Sequence, residues 1–435
     1  MYSKMKIDIN IFTGNSSSHL QSCFNKLYFL VLLLLFFNGN LKSQTKNLEY
    51  YIDNAVKTSQ SISENKKLMT TYNIRKELIN SNLYKPRIFS TVNYLFAPSF
   101  GEYGYDSAVT NGGLYSALVN LELPLLNGFT SRTKLEEILN EQNTYKNNII
   151  TAEHEINKNV TEQYIKAYID YEQISTADET IRILDLQREI INAMIDRGIG
   201  KLTDLKLLDV EYQTQIINKN QLEIAFEKDL MDLNLLTGIR DTSIIIPDKP
   251  DIKLTGDKNI KSYFLESYLL DSLKLITEKN INESNYKPQI SFFVNGGLNA
   301  VNYTDIWKKI GISTGINMTF SLYDGNQKDL NNYLIDIRGQ NISGQKNFFR
   351  YQNEIRKKNI LKELSGQEKL LARQEKQLEN YQSLLELYRN QFVSGEVSLL
   401  EYINILKNYV SFKNEIILNK NQQLLIINEY NYWNW

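Results

Sequence analysis

The sequence predicts a mainly helical protein with membrane β-strands, built from an internally duplicated unit of helix, β-hairpin, long helix and helix. Three observations support this fold class. Short motifs recur in the same order in both halves of the 435-residue chain, each half contains a segment that alternates apolar with small or polar residues, and long tracts contain no Pro. We expect several copies to assemble, because four strands cannot close a barrel and lipid does not tolerate an open sheet edge.

The chain begins with a segment that is typical of a secretory signal peptide. An apolar run from Leu27 to Phe37 follows Lys26 and precedes the small residue Ser43. This run is too short to cross a bilayer, which needs about 20 apolar residues. The single Cys, Cys23, precedes the run, whereas a lipoprotein carries its Cys after such a run. We therefore expect residues 1–43 to be removed during export.

Internal matches divide the rest of the chain into two repeats. Three pairs of segments correspond, in the same order: residues 84–88 with 286–290, 125–128 with 322–325, and 200–203 with 395–398. Recurring landmarks of this kind indicate a duplicated architecture. We expect a first repeat at 44–238 and a second at 259–435. The linker between them, residues 239–258, contains Pro and Gly.

Each repeat is expected to hold the same elements in the same order. After an initial helix, the first repeat should contain a hairpin at about 87–125, a long helix at about 130–197 and a helix at about 203–237. The corresponding bounds in the second repeat are about 289–322, 326–393 and 398–432.

The hairpins carry the pattern of strands with one apolar face. Apolar and small residues alternate from Ile310 to Leu322, and a more mixed alternation runs from Tyr115 to Leu125. A soluble β-sandwich could show the same period of two. The length of the segments and the aromatic residues at their ends favour a membrane strand, as in a barrel with aromatic girdles. Those aromatic residues are Tyr94, Phe96, Phe100, Tyr103, Tyr303 and Trp307.

The helical tracts predict a long coiled coil. About 65 to 70 residues without Pro lie between Gly128 and Gly198, and again between Gly325 and Gly395, which corresponds to about 100 Å of helix. Apolar residues recur every seventh position in the second tract, at Leu364, Leu371, Leu378, Leu385 and Phe392. A soluble rod-like coiled coil would explain these helices, but neither the hairpins nor the signal peptide.

The turns between the helices carry capping signals. Ser398 and Glu401 fit a capping box, and Thr203 is expected to cap the equivalent helix of the first repeat. Gly200 and Gly395 are expected to supply the positive φ angle that a tight helical turn needs.

At these residues the chain resembles the TolC-like outer-membrane efflux family. The resemblance rests on Arg-Gly-Ile-Gly-Lys-Leu-Thr at 197–203, Phe-x-x-Gly-x-x-Ser-x-x-Glu at 392–401, residues 232–238 and the duplicated hairpins. It implies a homotrimer whose twelve-stranded β-barrel continues into an α-helical coiled-coil barrel across the periplasm. It also implies two partners, a periplasmic adaptor (membrane fusion protein) and an inner-membrane pump.

The same resemblance suggests site residues at the helical tip. Candidate adaptor contacts are Gly200, Leu202, Thr203, Gly395, Val397 and Ser398, although these residues could do no more than cap helices. Glu401 and Asn404 stand where the family narrows its pore, and a ring of Glu401 carboxylates would favour cations. Val397 replaces a basic residue of the best-known members, so the same ionic closure is not expected.

The implied function is passive export of small molecules across the periplasm and outer membrane, with the protein in the outer membrane and its helices in the periplasm. We expect no enzyme activity, cofactor or metal site, since no catalytic motif is visible and the two His residues are His19 and His154. His154 is expected at the surface. A net charge of -1 argues against nucleic-acid binding. Two alternatives remain: a structural periplasmic coiled-coil protein without channel activity, and a type I secretion channel for proteins.

Overall fold

The computed structural model describes residues 46–98, 100–106, 112–125, 127–241, 243–256, 262–301 and 303–435. The expected signal peptide and Cys23 lie outside these residues. The elements follow in this order: α1 Leu48–Thr58, α2 Gln60–Tyr84, β1 Arg87–Ala97, β2 Gly112–Leu125, α3 Gly128–Asp196, α4 Leu202–Thr237, α5 Tyr263–Asn285, β3 Gln289–Ala300, a 3₁₀ turn Ile306–Lys308, β4 Ile310–Thr319, α6 Gln327–Ser394 and α7 Leu399–Trp433.

The first repeat starts with two helices where the sequence predicted one. Helix α1 ends at Thr58 and α2 begins after Ser59, whose Oγ accepts a hydrogen bond from the Ile62 N–H at 3.4 Å. A Ser at this position satisfies an amide that the first helical turn leaves free, so it favours a new helix start. The extra helix α1 packs against α3 and α4.

Two very long helices run the length of the helical part. Helix α3 has 69 residues and α6 has 68, so each extends about 100 Å. Below the sheet, α3 packs along α2 and α5, and α5 packs along α6. Farther from the sheet, α3 packs along α4 and α7, and α7 packs along α6. The helices therefore form one layer. In the half of this layer that lies farther from the sheet, they follow the order α4, α3, α7, α6, with α4 and α6 at the edges.

Apolar clusters hold this layer together at several heights. The distal cluster lies near the turns and joins all four helices of the far half through Leu184 and Ile191 of α3, Leu208 of α4, Phe392 of α6, and Leu399, Tyr402, Ile403 and Leu406 of α7. The seven-residue series on α6 faces α7: Leu364 packs with Ile426 and Tyr430. Burial of such series supplies most of the stability of helices in water.

The four strands form one antiparallel sheet in the order β1-β2-β3-β4. The central contact, between β2 and β3, joins the two repeats. Strand β4 ends at Thr319, three residues before the predicted limit at Leu322. The chain must turn there into α6, and Asp324 caps that helix by accepting hydrogen bonds from the N–H groups of Asn326 at 2.9 Å and Lys328 at 2.8 Å.

Candidate functional site

The sheet has one continuous apolar face. Directly paired residues project to the same side of a sheet, and the register pairs Val92 with Ala117, Ala117 with Leu298, and Leu298 with Ile310. The face consists of Ile88, Val92, Tyr94, Phe96, Tyr115, Ala117, Val119, Leu121, Leu123, Leu125, Ile290, Phe292, Val294, Leu298, Ile310, Ile312, Ile316 and Met318, interrupted by Ser90, Gly296 and Thr314.

This apolar face is exposed to the surroundings of the chain. The exposed fraction reaches 79% at Val92 and 84% at Ile312. A soluble monomer rarely leaves so large an apolar surface open, and such surfaces mark contact with a membrane or another protein.

The opposite face of the sheet is mostly small and polar. Ser116 and Asn120 of β2 are buried there, and the Asn120 Nδ2 donates a hydrogen bond to the Thr91 Oγ1 at 2.9 Å. Other members of this face include Arg87, Asn93, Glu122, Ser291, Asn295, Asn299, Gly311, Ser313, Gly315, Asn317 and Thr319, and its apolar members are Phe89, Leu95, Ala97, Leu114, Leu118, Pro124 and Phe293. A polar inner face and an apolar outer face are the arrangement of a membrane barrel.

The two helical turns at the far end share one backbone hydrogen-bond pattern. In the first turn, the Ile199 and Gly200 N–H groups both donate to the Met194 carbonyl, at 3.0 and 2.9 Å. In the second, the Glu396 and Val397 N–H groups both donate to the Gln391 carbonyl, at 2.8 and 3.4 Å. Gly200 therefore corresponds to Val397, and the sequence match of residues 200–203 with 395–398 is shifted by two positions.

The glycine with positive φ in the first turn is Gly198, at 75°, which corresponds to Gly395 at 82°. The prediction that Gly200 has this role is wrong. Gly200 is required for another reason, since a Cβ there would lie 2.7 Å from the Ile195 nitrogen.

The helix that follows the first turn lacks the expected cap. Its N-cap is Lys201, which makes no capping hydrogen bond through its side chain, and Thr203 already lies within α4. The prediction that Thr203 caps this helix is therefore wrong. When Gly198 is aligned with Gly395, Asp204 corresponds to Glu401. The sequence match aligned Gly200 with Gly395 and therefore did not show this pair of acidic residues.

Glu401 completes the predicted capping box. Its Oε2 accepts hydrogen bonds from the Ser398 N–H and the Ser398 Oγ, both at 2.8 Å, and its own N–H donates to the Ser398 Oγ at 3.3 Å. The backbone N–H of Ser398 holds the pKa of the Glu401 carboxyl below its ordinary value. Glu401 and Asn404 are both exposed, one helical turn apart.

The other tip residues differ in accessibility. Leu202 is 64% exposed, and Thr203, Gly395 and Ser398 are also exposed. Val397 instead packs against the distal cluster, so its side chain supports the turn from within.

A groove of about 280 Å³ lies beside the tip, between α3 and α6. Tyr402 and Tyr409 of α7 contribute to its lining, together with Leu186, Leu385 and other residues of the long helices. Gln187 also lines it; this side chain is only 1% exposed and its Oε1 accepts no hydrogen bond from the part of the chain that the structure describes. Buried amide oxygens normally have a partner, but the Gln187 Oε1 has almost no accessible surface, so it is not open to a molecule in the groove.

Two ion pairs join the repeats just behind the tip. Lys407 of α7 lies 2.6 Å from Glu211 of α4, a carboxylate whose side chain is 7% exposed and that also accepts a hydrogen bond from Gln215. Lys413 of α7 pairs with Glu179 of α3. These contacts connect the α6/α7 hairpin to the α3/α4 hairpin.

Among helices in the described ranges, none is long and apolar enough to cross a membrane, and no group of His, Cys, Asp and Glu there is arranged to hold a metal ion. His154, expected at the surface, is half-buried, and its ring stacks on Tyr432 and Trp435.

No protein-family model and no curated protein matches the sequence. Solved structures do match. The outer membrane protein VceC from Vibrio cholerae is similar with a TM-score of 0.68 and 12% identity, covering 89% of this chain and 96% of VceC. The Campylobacter jejuni CmeC outer membrane channel has a TM-score of 0.66 and 13% identity, covering 89% and 85%. The Neisseria gonorrhoeae MtrE outer membrane channel, in its open state, has a TM-score of 0.64 and 13% identity, covering 89% and 88%.

Proposed function

We propose that the chain is the channel subunit of a tripartite efflux or type I secretion system, because it has the fold of TolC-like outer-membrane efflux channels. It would act as a passive conduit for export, with its sheet in the outer membrane and its helices in the periplasm. The observation that carries this proposal is the exposed apolar face of the sheet, continuous over four strands and attached to helices of about 100 Å.

The edges of the sheet support a homotrimer. Strand β1 and strand β4 each have a neighbour on one side only in the described sheet. Because the strands alternate in direction, β4 of one copy can pair antiparallel with β1 of the next. Three copies would close a twelve-stranded barrel without a free edge, as lipid requires.

The edge of the helical layer supports the same assembly. On α4, exposed apolar residues recur every seven positions at Val210, Ile217, Ile224 and Met231, with exposed fractions from 56% to 69%. A seven-residue apolar series is the pattern of a coiled-coil seam. Since α4 and α6 are the two edges of the layer, we infer that the α4 series packs against α6 of a neighbouring copy.

The tip is the proposed contact with a periplasmic adaptor, which would link the channel to an inner-membrane pump. Leu202, Thr203, Gly395 and Ser398 offer exposed contact positions there, whereas Gly200 and Val397 shape the turns. The groove beside them adds apolar side chains, including Leu186 and Leu385, together with the charged Glu386 and Arg389.

The tip is also the proposed pore constriction. Glu401 and Asn404 would face the pore. Asp204, which corresponds to Glu401 in the first repeat, would add a second carboxylate. Negative rings at a constriction favour cations. The Glu401 carboxylate is charged at neutral pH, since its ordinary pKa lies well below 7 and the hydrogen bonds from Ser398 lower it further.

The proposal is tested by placing one charge on either face of the same strand in the full chain. Val92→Lys lies on the apolar face and Asn93→Lys on the polar face. A Lys facing lipid at mid-depth costs about 2–4 kcal/mol, whereas one facing the lumen costs little. We expect V92K to lose trimers and conductance in planar bilayers and N93K to keep both. Equal tolerance of the two variants, or a water-soluble monomeric wild type, would refute the channel function.

A further inference from the structure

His154 is held in an aromatic cluster that joins distant parts of the chain. Its ring lies nearly parallel to the Trp435 ring, with centroids 3.9 Å apart, and to the Tyr432 ring at 4.9 Å. Phe264 of α5 meets it edge-on at 6.2 Å. The His154 Nε2 lies 2.9 Å from the Tyr432 carbonyl oxygen, so an N–H at that position donates to it.

The residues beside these rings hold the linker between the repeats. The Asn431 Oδ1 accepts a hydrogen bond from the Thr255 N–H at 2.8 Å, and the Asn431 Nδ2 donates to the Lys253 carbonyl at 2.8 Å. The Asn434 Nδ2 donates to the Gly256 carbonyl at 3.3 Å. The Asn431 side chain therefore hydrogen-bonds to the linker backbone through both its oxygen and its nitrogen. Segment 431–435 thus binds the linker on one side and His154 on the other.

We propose that His154, Tyr432 and Trp435 form a pH-sensitive clasp, which fixes linker residues 251–256 against α3 and α7 while the His154 ring is neutral and releases them when the ring is protonated. The inference concerns a conformational device in the helical part of the chain and does not depend on the channel function.

The burial of His154 sets the direction of the response. Loss of solvent lowers the pKa of His154 from its ordinary value of 6.5, and the hydrogen bond to the Tyr432 carbonyl opposes this only in part. The closed clasp therefore prefers the neutral ring, whereas the released ring has its ordinary pKa. It follows by linkage that the clasp is at full strength above pH 6.5 and weakens as the pH falls below that value.

Charges of both signs surround the cluster. The cations that face it are Lys158 of α3, Lys253 of the linker and Arg356 and Lys357 of α6, and the anions are Glu49 of α1, Glu155 of α3 and Asp251 of the linker. The Lys158 Nζ is 5.0 Å from the Tyr432 ring, and the Arg356 guanidinium is 3.8 Å from the Trp433 ring.

Two of these charged neighbours pair with each other: Asp251 lies 2.9 Å from Lys253. Two neighbouring Tyr hydroxyls can also titrate, those of Tyr432 and of Tyr263, whose ring stacks on Trp435 at 4.6 Å. Lys158 also pairs with Glu162 at 3.6 Å, so its charge is balanced locally. Cations and anions surround the ring in similar number, so the burial of His154 sets the direction of the response.

The test measures how strongly the linker amides resist hydrogen exchange between pH 8 and pH 5, using the full chain in detergent and mass spectrometry of peptides that cover residues 251–256. We expect constant protection factors above pH 6.5 and a fall of up to about ten-fold per pH unit below it. The amide of main interest in these peptides is that of Thr255, because it donates a hydrogen bond to Asn431.

Three variants give the comparison. His154→Phe keeps an aromatic ring but cannot ionise, so its linker should stay protected down to pH 5; His154→Gln should show the same lack of pH response if the Phe variant does not fold. Trp435→Ala removes the stacked ring and should lower protection at every pH. Unchanged protection in the wild type across the range, or the same acid-dependent loss in the variants without His154, would overturn the clasp.

Discussion

Phe293 and Gly315 face each other across strands β3 and β4, and the Phe293 ring occupies the space that a side chain at position 315 would need. A Cβ built on Gly315 would lie 2.8 Å from the tip of that ring. A bulky aromatic opposite a glycine is a known means of fixing strand register. The pair lies on the polar face of the sheet, so it bears on the inner wall of the proposed barrel.

Gly315→Val should therefore destabilise the sheet by about 1–3 kcal/mol, because overpacking forces the ring or the backbone to move. The measurement is the temperature at which the assembled protein dissociates in mild detergent. Gly311→Val is the matched control, since Gly311 lies on the same face of the same strand and a Cβ there would meet nothing within 4 Å. Equal effects of the two substitutions would show that the pairing with Phe293 is not responsible.

A charge in the exposed apolar series of α4 should prevent assembly. We expect Ile217→Glu to shift the purified protein from trimer to monomer, because the proposed seam would bury a carboxylate without a partner. Size-exclusion chromatography with light scattering reports the mass. Ile217→Leu keeps the apolar character and should remain trimeric. A trimeric I217E would place the subunit contact away from this series.

The acidic residues of the tip should set the ion preference of the channel. Glu401→Ala is expected to reduce the cation selectivity measured from reversal potentials in planar bilayers, and adding Asp204→Asn should reduce it further. Glu396→Gln removes a charge from the turn itself and serves as the control. If E401A keeps the wild-type selectivity, Glu401 lies outside the constriction and serves only in the capping box.

The sequence predicted the long helices and the hairpins because each depends on local patterns. Pro-free tracts fix where α3 and α6 can run, and a period of two fixes which side chains share a face. The alternation in the sequence continues beyond β4 to Phe320 and Leu322. The strand ends earlier because the chain turns there into α6, which Asp324 caps. The split of the first helix at Ser59 was equally local, yet a single capping residue gives a weak signal within a helical pattern.

The tip shows why the site was predicted only in part. Gly198 and Gly200 are two residues apart, and nothing in composition indicates which of them corresponds to Gly395. The choice depends on which carbonyl each amide reaches, and the wrong choice hid the match between Asp204 and Glu401. His154 presents a second limit, since its partner Tyr432 is 278 positions away in the chain.

The ion pair between Glu211 and Lys407 provides a test of how the two hairpins are held together. Lys407→Met leaves the Glu211 carboxylate 7% exposed without its cation. A buried charge that loses its partner is strongly destabilising, whereas an exposed pair contributes about 0–1 kcal/mol. We expect K407M to loosen the contact between α4 and α7 and to raise single-channel conductance by letting the hairpins separate.

Lys420→Met is the matched control for this change, because Lys420 pairs with Glu375 at 2.9 Å where both side chains are more than half exposed and both helices belong to one hairpin. That variant should keep the wild-type conductance. The double variant Glu211→Gln with Lys407→Met removes the buried charge together with its partner, so it should recover stability although this ion pair between the hairpins stays absent. If the double variant is as unstable as K407M alone, the cost arises from lost packing of the Lys407 side chain and the buried carboxylate is not its cause.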